Sequence, residues 1–112
     1  MHYVYILEMQ PSGRRYYGVS KNPVARKSNH QHNLKSGLHP NKRMLKLWAE
    51  LKQPKLDLLL SVGFERRIDA LKAEHLCINA DPDALNARKE FVVPKNLRGQ
   101  VTIEKVTKVR YR

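Results

Sequence analysis

Two runs of strand-forming residues lie at the start of the chain, separated by a short turn, and this feature constrains the fold most. Residues 3–7 are aromatic, β-branched or aliphatic without strict alternation, which is typical of a strand covered on both faces. Residues 11–13, Pro-Ser-Gly, supply turn chemistry, and a second run follows at residues 15–20. The pattern predicts an antiparallel hairpin whose first strand is central in a sheet.

Two helices are predicted after the hairpin. Asn22 before Pro23 combines a capping side chain with the fixed φ of a first helical residue, and Gly37 provides an end for this helix after about residue 36. Asn41 can cap a second helix, which Pro54 terminates. Apolar residues at i, i+3, i+4 and i+7 give this second helix one buried stripe: Met44, Leu47, Trp48 and Leu51.

A third strand and a third helix complete the predicted core. Even-numbered apolar residues over 56–62 alternate with Asp57, Leu59 and Ser61, which predicts a strand with one face more exposed. A helical pattern runs from residue 65 to about residue 80 and ends at the turn 81–83. The sum is an α/β (α+β) fold, with three antiparallel strands flanked by helices.

The predicted domain organisation is a single domain over residues 1–112. Its core spans residues 3–86, and residues 87–112 form a C-terminal extension. Within that extension, residues 101–109 have strand propensity and predict an added edge strand.

The composition limits the function classes. Lys and Arg number 22 against 10 Asp and Glu, a formal net charge of +12, and most of the excess lies in residues 1–56. A positive charge of this size attracts polyanions, so nucleic acid is the expected partner. Charge alone does not distinguish this from a ribosomal-type basic protein or a basic protein of the membrane surface. One cysteine, Cys77, excludes an internal disulfide and a multi-thiolate zinc site. We expect a cytoplasmic protein with no secretion signal and no membrane-spanning segment.

Glu74 is the acid that the predicted helices do not readily explain. Its helix-surface neighbours at i−4, i−3, i+3 and i+4 are all apolar: Ala70, Leu71, Cys77 and Ile78. The carboxylate therefore falls within the stripe that should face the core, where it needs a cation, hydrogen bonds or a raised pKa. A functional acid would explain this position. A structural pairing with a buried arginine, or a place at the rim of the stripe, would explain it equally well.

An ordered set of aromatic and basic residues resembles the GIY-YIG nuclease family. Residues 3–5, Tyr-Val-Tyr, and residues 16–18, Tyr-Tyr-Gly, correspond to its two motifs, and Arg26 and His30 follow at i and i+4 on one helical face. The rest of the set is Ser20, Asn22, Glu74 and Asn86, so the resemblance spans residues 3–86. Tyr3 stands where the family has its first glycine, and Tyr17 where it has an aliphatic residue.

The resemblance implies hydrolysis of phosphodiester bonds in DNA by a metal-dependent endonuclease. Glu74 would be the protein ligand of one divalent cation, Mg²⁺ or Mn²⁺. Arg26 would stabilise charge on the scissile phosphate, and Tyr5 would orient the attacking water or take its proton, its pKa lowered by nearby Lys or Arg. Tyr16 and His30 would hold phosphate and water, with His30 able to shuttle a proton.

The same resemblance suggests a second group of residues for substrate binding: Gly18, Ser20, Lys21, His39 and Asn86. Asn86 would bond a tyrosine or phosphate oxygen, whereas His39 matches a histidine of only some family members. Taken singly, Tyr5 and Tyr16 are better explained as core or cross-strand aromatics, and only the whole set of residues favours a catalytic role. A catalytically weak nucleic-acid-binding module of the same fold is the alternative function, and an assembly protein that binds RNA or acidic protein is a third. A homodimer or a specificity-giving partner protein are both open.

Overall fold

The computed structural model describes residues 1–86 and the backbone of residues 110–111. Every predicted core element is present, and one short strand is added. In chain order the elements are β1 (Tyr3–Gln10), β2 (Arg14–Ser20), α1 (Pro23–Ser36), α2 (Lys42–Glu50), β3 (Lys55–Leu60), α3 (Arg67–Ala80) and β4 (Arg110–Tyr111). Among the described residues, no helix is long and apolar enough to cross a membrane.

The sheet is antiparallel, with strand order β2-β1-β3-β4. The prediction that β1 is central and that the core sheet has three antiparallel strands is confirmed. In the register, Tyr5 lies opposite Gly18 on β2 and opposite Leu60 on β3. β4 pairs two residues with the outer edge of β3, while the edge strand predicted at residues 101–109 lies outside the described residues.

Local signals account for the bounds of α1. The Asn22 side chain accepts a hydrogen bond from the Ala25 amide at 3.2 Å, and Pro23 occupies the first helical position. At the other end, Gly37 takes a left-handed conformation with φ 76°, and the Leu38 amide donates to the Asn33 carbonyl at 3.0 Å. This left-handed end satisfies the last carbonyls of the helix at the residue that the sequence predicts.

The second helix is anchored in the same way and covers the sheet with its apolar stripe. The Asn41 side chain accepts from the Met44 amide at 3.1 Å. Met44 is fully buried, and Leu47, Trp48 and Leu51 pack around it as predicted. Trp48 is partly buried and packs against this core.

Helices cover both faces of the sheet. On one face, α3 contributes three small or aliphatic side chains to a core with Val4, Ile6, Tyr17 and Leu59: Ala73, Leu76 and Cys77. On the other face, Leu34 of α1 and Met44 of α2 pack against the alternate residues of β1 and β3. The edge strand β2 thus lies between α3 on one side and α1 on the other.

The prediction that one face of β3 is more exposed holds only at the start of the strand, where Lys55 is exposed and Asp57 is intermediate; beyond it the same face is buried. Leu59 is 1% exposed and Ser61 is 3% exposed, because α3 covers that face. The buried Ser61 hydroxyl is satisfied: it accepts from the Val4 amide at 3.1 Å and donates to the Val62 carbonyl at 2.8 Å. Val62, which the alternation placed in the core, lies beyond the strand and is 42% exposed.

Candidate active site

An open pocket of about 690 Å³ lies along β2 and is lined by residues of β2, of α1 and of α3. Eight of the ten residues that the sequence nominates line it: Tyr5, Tyr16, Gly18, Arg26, His30, His39, Glu74 and Asn86. Ser20 and Lys21 do not. The hairpin, α1 and α3 therefore bring together groups that are up to 81 positions apart along the chain.

Gly18 allows the Tyr5 ring to reach this pocket. Because the two residues are opposite each other in the β1–β2 pairing, their side chains share one face of the sheet. A Cβ atom built on Gly18 would overlap the Cε1, Cζ and hydroxyl oxygen of Tyr5. The ring thus occupies the space over the glycine backbone and extends across β2, so the role of Gly18 is to admit Tyr5.

A chain of hydrogen bonds links Tyr5 to the loop between α1 and α2. The Tyr5 hydroxyl lies 2.9 Å from His30 Nε2, and His30 Nδ1 lies 2.7 Å from His39 Nε2. His39 Nδ1 in turn accepts from the Asn41 backbone amide at 2.9 Å. His30 and His39 are each 6% exposed, and their rings are stacked with centroids 4.9 Å apart.

Burial keeps both histidines neutral. Desolvation, assisted by His39 and Arg26, lowers the pKa of His30 to about 4. Desolvation and the charge of Arg26 also lower the pKa of His39. At neutral pH each ring therefore carries one N–H donor and one acceptor nitrogen.

The Tyr5 phenol has a raised pKa, not the lowered one that we predicted. Burial of the ring favours the protonated form and outweighs Arg26, whose hydrogen bonding and positive charge favour the phenolate. Glu74 adds to the rise through its negative charge, and Tyr16 acts weakly in the opposite direction. The prediction considered the cation and left out the cost of removing the phenol from water.

Tyr16 and Arg26 flank this chain on the pocket wall. The Tyr16 ring centroid lies 5.0 Å from that of His30 and 6.4 Å from that of Tyr5. Arg26 and His30 both face the pocket, as their i, i+4 spacing predicts, although Arg26 is exposed and His30 is buried. Two phenols, an imidazole and a guanidinium thus border one volume.

Glu74 enters the pocket from α3. The helix buries Ala70, Ala73 and Cys77 against the sheet, while Leu71, Glu74 and Ile78 face the pocket. Glu74 therefore lies beside the buried stripe and not in its centre, and its side chain is 14% exposed. Its carboxylate lies 3.7 Å from His75 Nε2. The sequence left open a position at the rim of the apolar stripe of α3, and this is the position observed. The same rim borders the pocket.

The donor groups of the pocket suit a hard divalent cation held mostly by water. In the part of the chain that the structure describes, no group of three or more His, Cys, Asp or Glu residues could hold a metal ion. Glu74 alone offers carboxylate oxygens in the pocket. Mg²⁺ keeps several waters and binds through one or two carboxylates plus substrate phosphates, so a single glutamate fits such an ion.

The Asn86 side chain hydrogen-bonds to the main chain of β2 and not to a phenol. Its Oδ1 accepts from the Tyr17 amide at 3.0 Å, and its Nδ2 donates to the Tyr17 carbonyl at 2.8 Å. Because β2 is at the edge of the sheet that the structure describes, this pair of bonds satisfies backbone groups that point away from β1. The expected bond to a tyrosine exists, but it is made to the main chain and fixes β2 beside Gly18.

The remaining nominated residues lie outside the pocket. The Ser20 hydroxyl accepts from the Asn22 amide at 2.9 Å and so shapes the turn into α1, and Lys21 is exposed next to it. Tyr17, which stands where the family has an aliphatic residue, also borders the pocket, but its side chain packs in the core under α3 and its hydroxyl donates to Asp81 at 2.7 Å. Cys77 is buried with its pKa raised to about 12 by desolvation, in line with an inert thiol.

Several pocket residues were missed from the sequence. Asn29 and Asn33 lie at i+3 and i+7 from Arg26, and Arg67 lies seven residues before Glu74, so the helical period would have placed all three. Asn41 was assigned only as a helix cap, yet its amide and side chain also hold His39 and the Leu85 carbonyl. The simultaneous contacts of Asn41 with His39 and Leu85 depend on the tertiary structure, and no local sequence pattern predicts them.

The comparisons with known proteins give one match. A family model described as the GIY-YIG catalytic domain matches residues 1–86. The matched segment contains every residue that lines the pocket. Neither the curated proteins nor the solved structures gave a match to this chain.

Proposed function

The chain belongs to the GIY-YIG family of nuclease catalytic domains, and we propose that it is a divalent-metal-dependent DNA endonuclease. The observation that carries the proposal is the convergence of five reactive side chains on one open pocket: Tyr5, Tyr16, Arg26, His30 and Glu74. A basic module that only binds nucleic acid has no need to gather phenols, an imidazole and a carboxylate at one point.

Positive charge favours a polyanionic substrate. The chain carries a formal net charge of +12, so DNA would be attracted through its phosphates and affinity would fall steeply with salt. Arg26 and Arg67 place two guanidinium groups at the pocket, one on each flanking helix. Lys21, exposed at the end of β2, is positioned to contact a phosphate outside the pocket.

Tyr5 and Arg26 would act on the reacting groups. We assign Tyr5 to the attacking water, which it orients or deprotonates, because the Tyr5 hydroxyl lies in the pocket and hydrogen-bonds to His30. Arg26 would stabilise the charge that develops on the phosphate, a task that suits a planar guanidinium with several donors. Tyr16, which lines the pocket from β2, would bind the phosphate.

Glu74 would hold the metal ion. Its carboxylate reaches the pocket from the helix opposite Arg26, so an ion bound there would meet a phosphate lying between α1 and α3. Mg²⁺ or Mn²⁺ at this position supplies positive charge that stabilises the phosphate oxygens and acidifies coordinated water.

Three further residues would support the site. Gly18 admits the Tyr5 ring, Asn86 fixes the backbone of β2, and His39 contacts His30. One such pocket cuts one strand at a time, so a double-strand break would require two successive nicks, a homodimer or a partner protein.

The test is cleavage of supercoiled plasmid under single-turnover conditions with Mg²⁺ and with EDTA. We expect Mg²⁺-dependent nicking by the intact chain. Glu74→Gln, Arg26→Ala and Tyr5→Phe should each lower the rate constant by about 10²–10³-fold, the usual effect of removing one group that stabilises a transition state.

Two of the three variants, Glu74→Gln and Tyr5→Phe, have a matched control whose altered group lies away from the five reactive side chains. Glu50→Gln changes an exposed glutamate of α2, and Tyr17→Phe removes a phenol whose hydroxyl contacts Asp81. Both should retain the wild-type rate. Salt-sensitive DNA binding without nicking would replace the proposal by the binding-module alternative, and equal nicking by Glu74→Gln would refute the assigned site.

A further inference from the structure

The hydrogen bonds between Tyr5 and the α1–α2 loop have a direction, which is set at the loop end. The Asn41 backbone N–H can only donate, so His39 Nδ1, at 2.9 Å, must accept. A neutral His39 then carries its proton on Nε2 and donates to His30 Nδ1 at 2.7 Å. His30 in turn carries its proton on Nε2 and donates to the Tyr5 oxygen at 2.9 Å.

The donor that sets this direction is firmly held. Asn41 is 8% exposed; its Oδ1 caps α2 through the Met44 amide, and its Nδ2 donates to the Leu85 carbonyl at 2.8 Å. The two imidazoles are buried, and the nearby Arg26 charge disfavours an additional proton on either ring. Each ring therefore stays neutral, and each has one arrangement that satisfies its neighbours.

We infer that His39 is a positioning residue that locks His30 in the Nε2-protonated tautomer, so that His30 donates to the Tyr5 oxygen. This inference rests on the proposed nuclease function and adds a role for the second histidine. His30 in this state has no free nitrogen facing Tyr5, so it does not take the phenol proton. The Tyr5 hydroxyl proton points into the open pocket instead, where water would accept it, and the resulting phenolate would keep the His30 N–H as a hydrogen-bond donor.

The tautomers can be measured directly without DNA or metal. In the full chain labelled with ¹⁵N-histidine at pH 7.5, long-range ¹H–¹⁵N correlations distinguish the two neutral tautomers of each ring. We expect both His30 and His39 to be protonated on Nε2. An Nδ1-protonated His30 would overturn the inference whatever the nuclease activity.

Two substitutions at position 39 separate positioning from packing. His39→Gln retains a side-chain N–H donor for His30 Nδ1 and should keep the Nε2 tautomer of His30, whereas His39→Leu removes the donor and should give a mixture of tautomers. If the leucine variant fails to fold, the wild-type and glutamine spectra still decide the question. An unchanged His30 tautomer in a folded His39→Leu variant would contradict a role for His39.

A kinetic measurement links the tautomer to the reaction. His39→Leu should lower the single-turnover cleavage rate constant in proportion to the fraction of His30 that leaves the Nε2-protonated tautomer, about twofold for an equal mixture, and leave DNA affinity measured with Ca²⁺ unchanged. His39→Gln should recover most of the rate. Correct tautomers in a protein that does not cleave DNA would refute the nuclease proposal alone, and wild-type cleavage by His39→Leu would refute the positioning role alone.

Discussion

The buried His30 ring makes the stability of the protein depend on pH in a calculable way. Its pKa is lowered to about 4, by burial first and by His39 and Arg26 second, whereas an unfolded histidine titrates near 6.5. Between these values the unfolded chain binds the extra proton and the folded chain does not, so the free energy of unfolding falls as the pH falls. The free energy of unfolding is therefore highest well above pH 6.5, and it decreases as the pH falls from about 6.5 to about 4.

The magnitude follows from the size of the pKa shift. One pKa unit corresponds to about 1.4 kcal/mol, so the shift of His30 predicts a loss of about 3 kcal/mol between pH 7.5 and pH 4. For a domain of this size that is a large fraction of the total stability. His39 adds to the loss in the same direction, because its pKa is also lowered.

Urea unfolding at a series of pH values isolates this contribution. His30→Gln should lose about 3 kcal/mol less than the wild type between pH 7.5 and pH 4, since its side chain does not titrate. His32→Gln, at an exposed position of the same helix, should follow the wild-type curve. If His30→Gln shows the wild-type pH slope, the neutral buried state of His30 is refuted.

Three further predictions follow from individual contacts. Gly18→Ala should lower the free energy of unfolding by about 3 kcal/mol, because the new methyl group overlaps the Tyr5 ring. In a Tyr5→Ala background the same change should have a far smaller effect in urea unfolding. Additive effects of the two substitutions would contradict the overlap. Asn86→Ala should cost about 2 kcal/mol in the same assay, because it leaves the Tyr17 amide and carbonyl unpaired. Cys77 should react with a thiol reagent at pH 8 only after unfolding, since burial raises its pKa to about 12; rapid labelling of the native protein would refute its burial.

The parts of the fold that the sequence predicts well are those with local causes. The bounds of α1 follow from one capping asparagine, one proline and one left-handed glycine, each of which acts on its own neighbours. The hairpin likewise depends on a turn between two strand-forming runs. These signals need no knowledge of the rest of the chain.

The errors arise where two distant elements meet. Leu59 and Ser61 were assigned to a more exposed face because strand alternation does not show that α3 will cover it. The direction of the Tyr5 pKa shift depends on whether burial or the Arg26 charge is larger, and a sequence does not give that balance. Asn86 does bond a tyrosine oxygen, as predicted, but that oxygen is the Tyr17 carbonyl on the edge strand β2, a main-chain partner that the sequence did not specify.

The sequence could predict which residues belong to the candidate site but not how these residues hydrogen-bond to one another. Helical periodicity placed Arg26 and His30 on one face and marked Glu74 as an acid within an apolar stripe, and the family resemblance assigned them to one site with Tyr5. The same periodicity would have added Arg67. The contact between His30 and His39 spans the end of α1 and a loop, so only the tertiary structure shows it.

The central claim is that Glu74 holds one divalent ion in the same pocket as Tyr5 and Arg26, and Mn²⁺ binding tests it most directly. In ¹H–¹⁵N spectra of the full chain, substoichiometric Mn²⁺ broadens the signals of nuclei near the bound ion. We predict the strongest broadening around residue 74 and at the Gly18 amide across the pocket, abolished by Glu74→Gln and unchanged by Glu50→Gln. Broadening centred elsewhere, or retained in Glu74→Gln, would contradict the account.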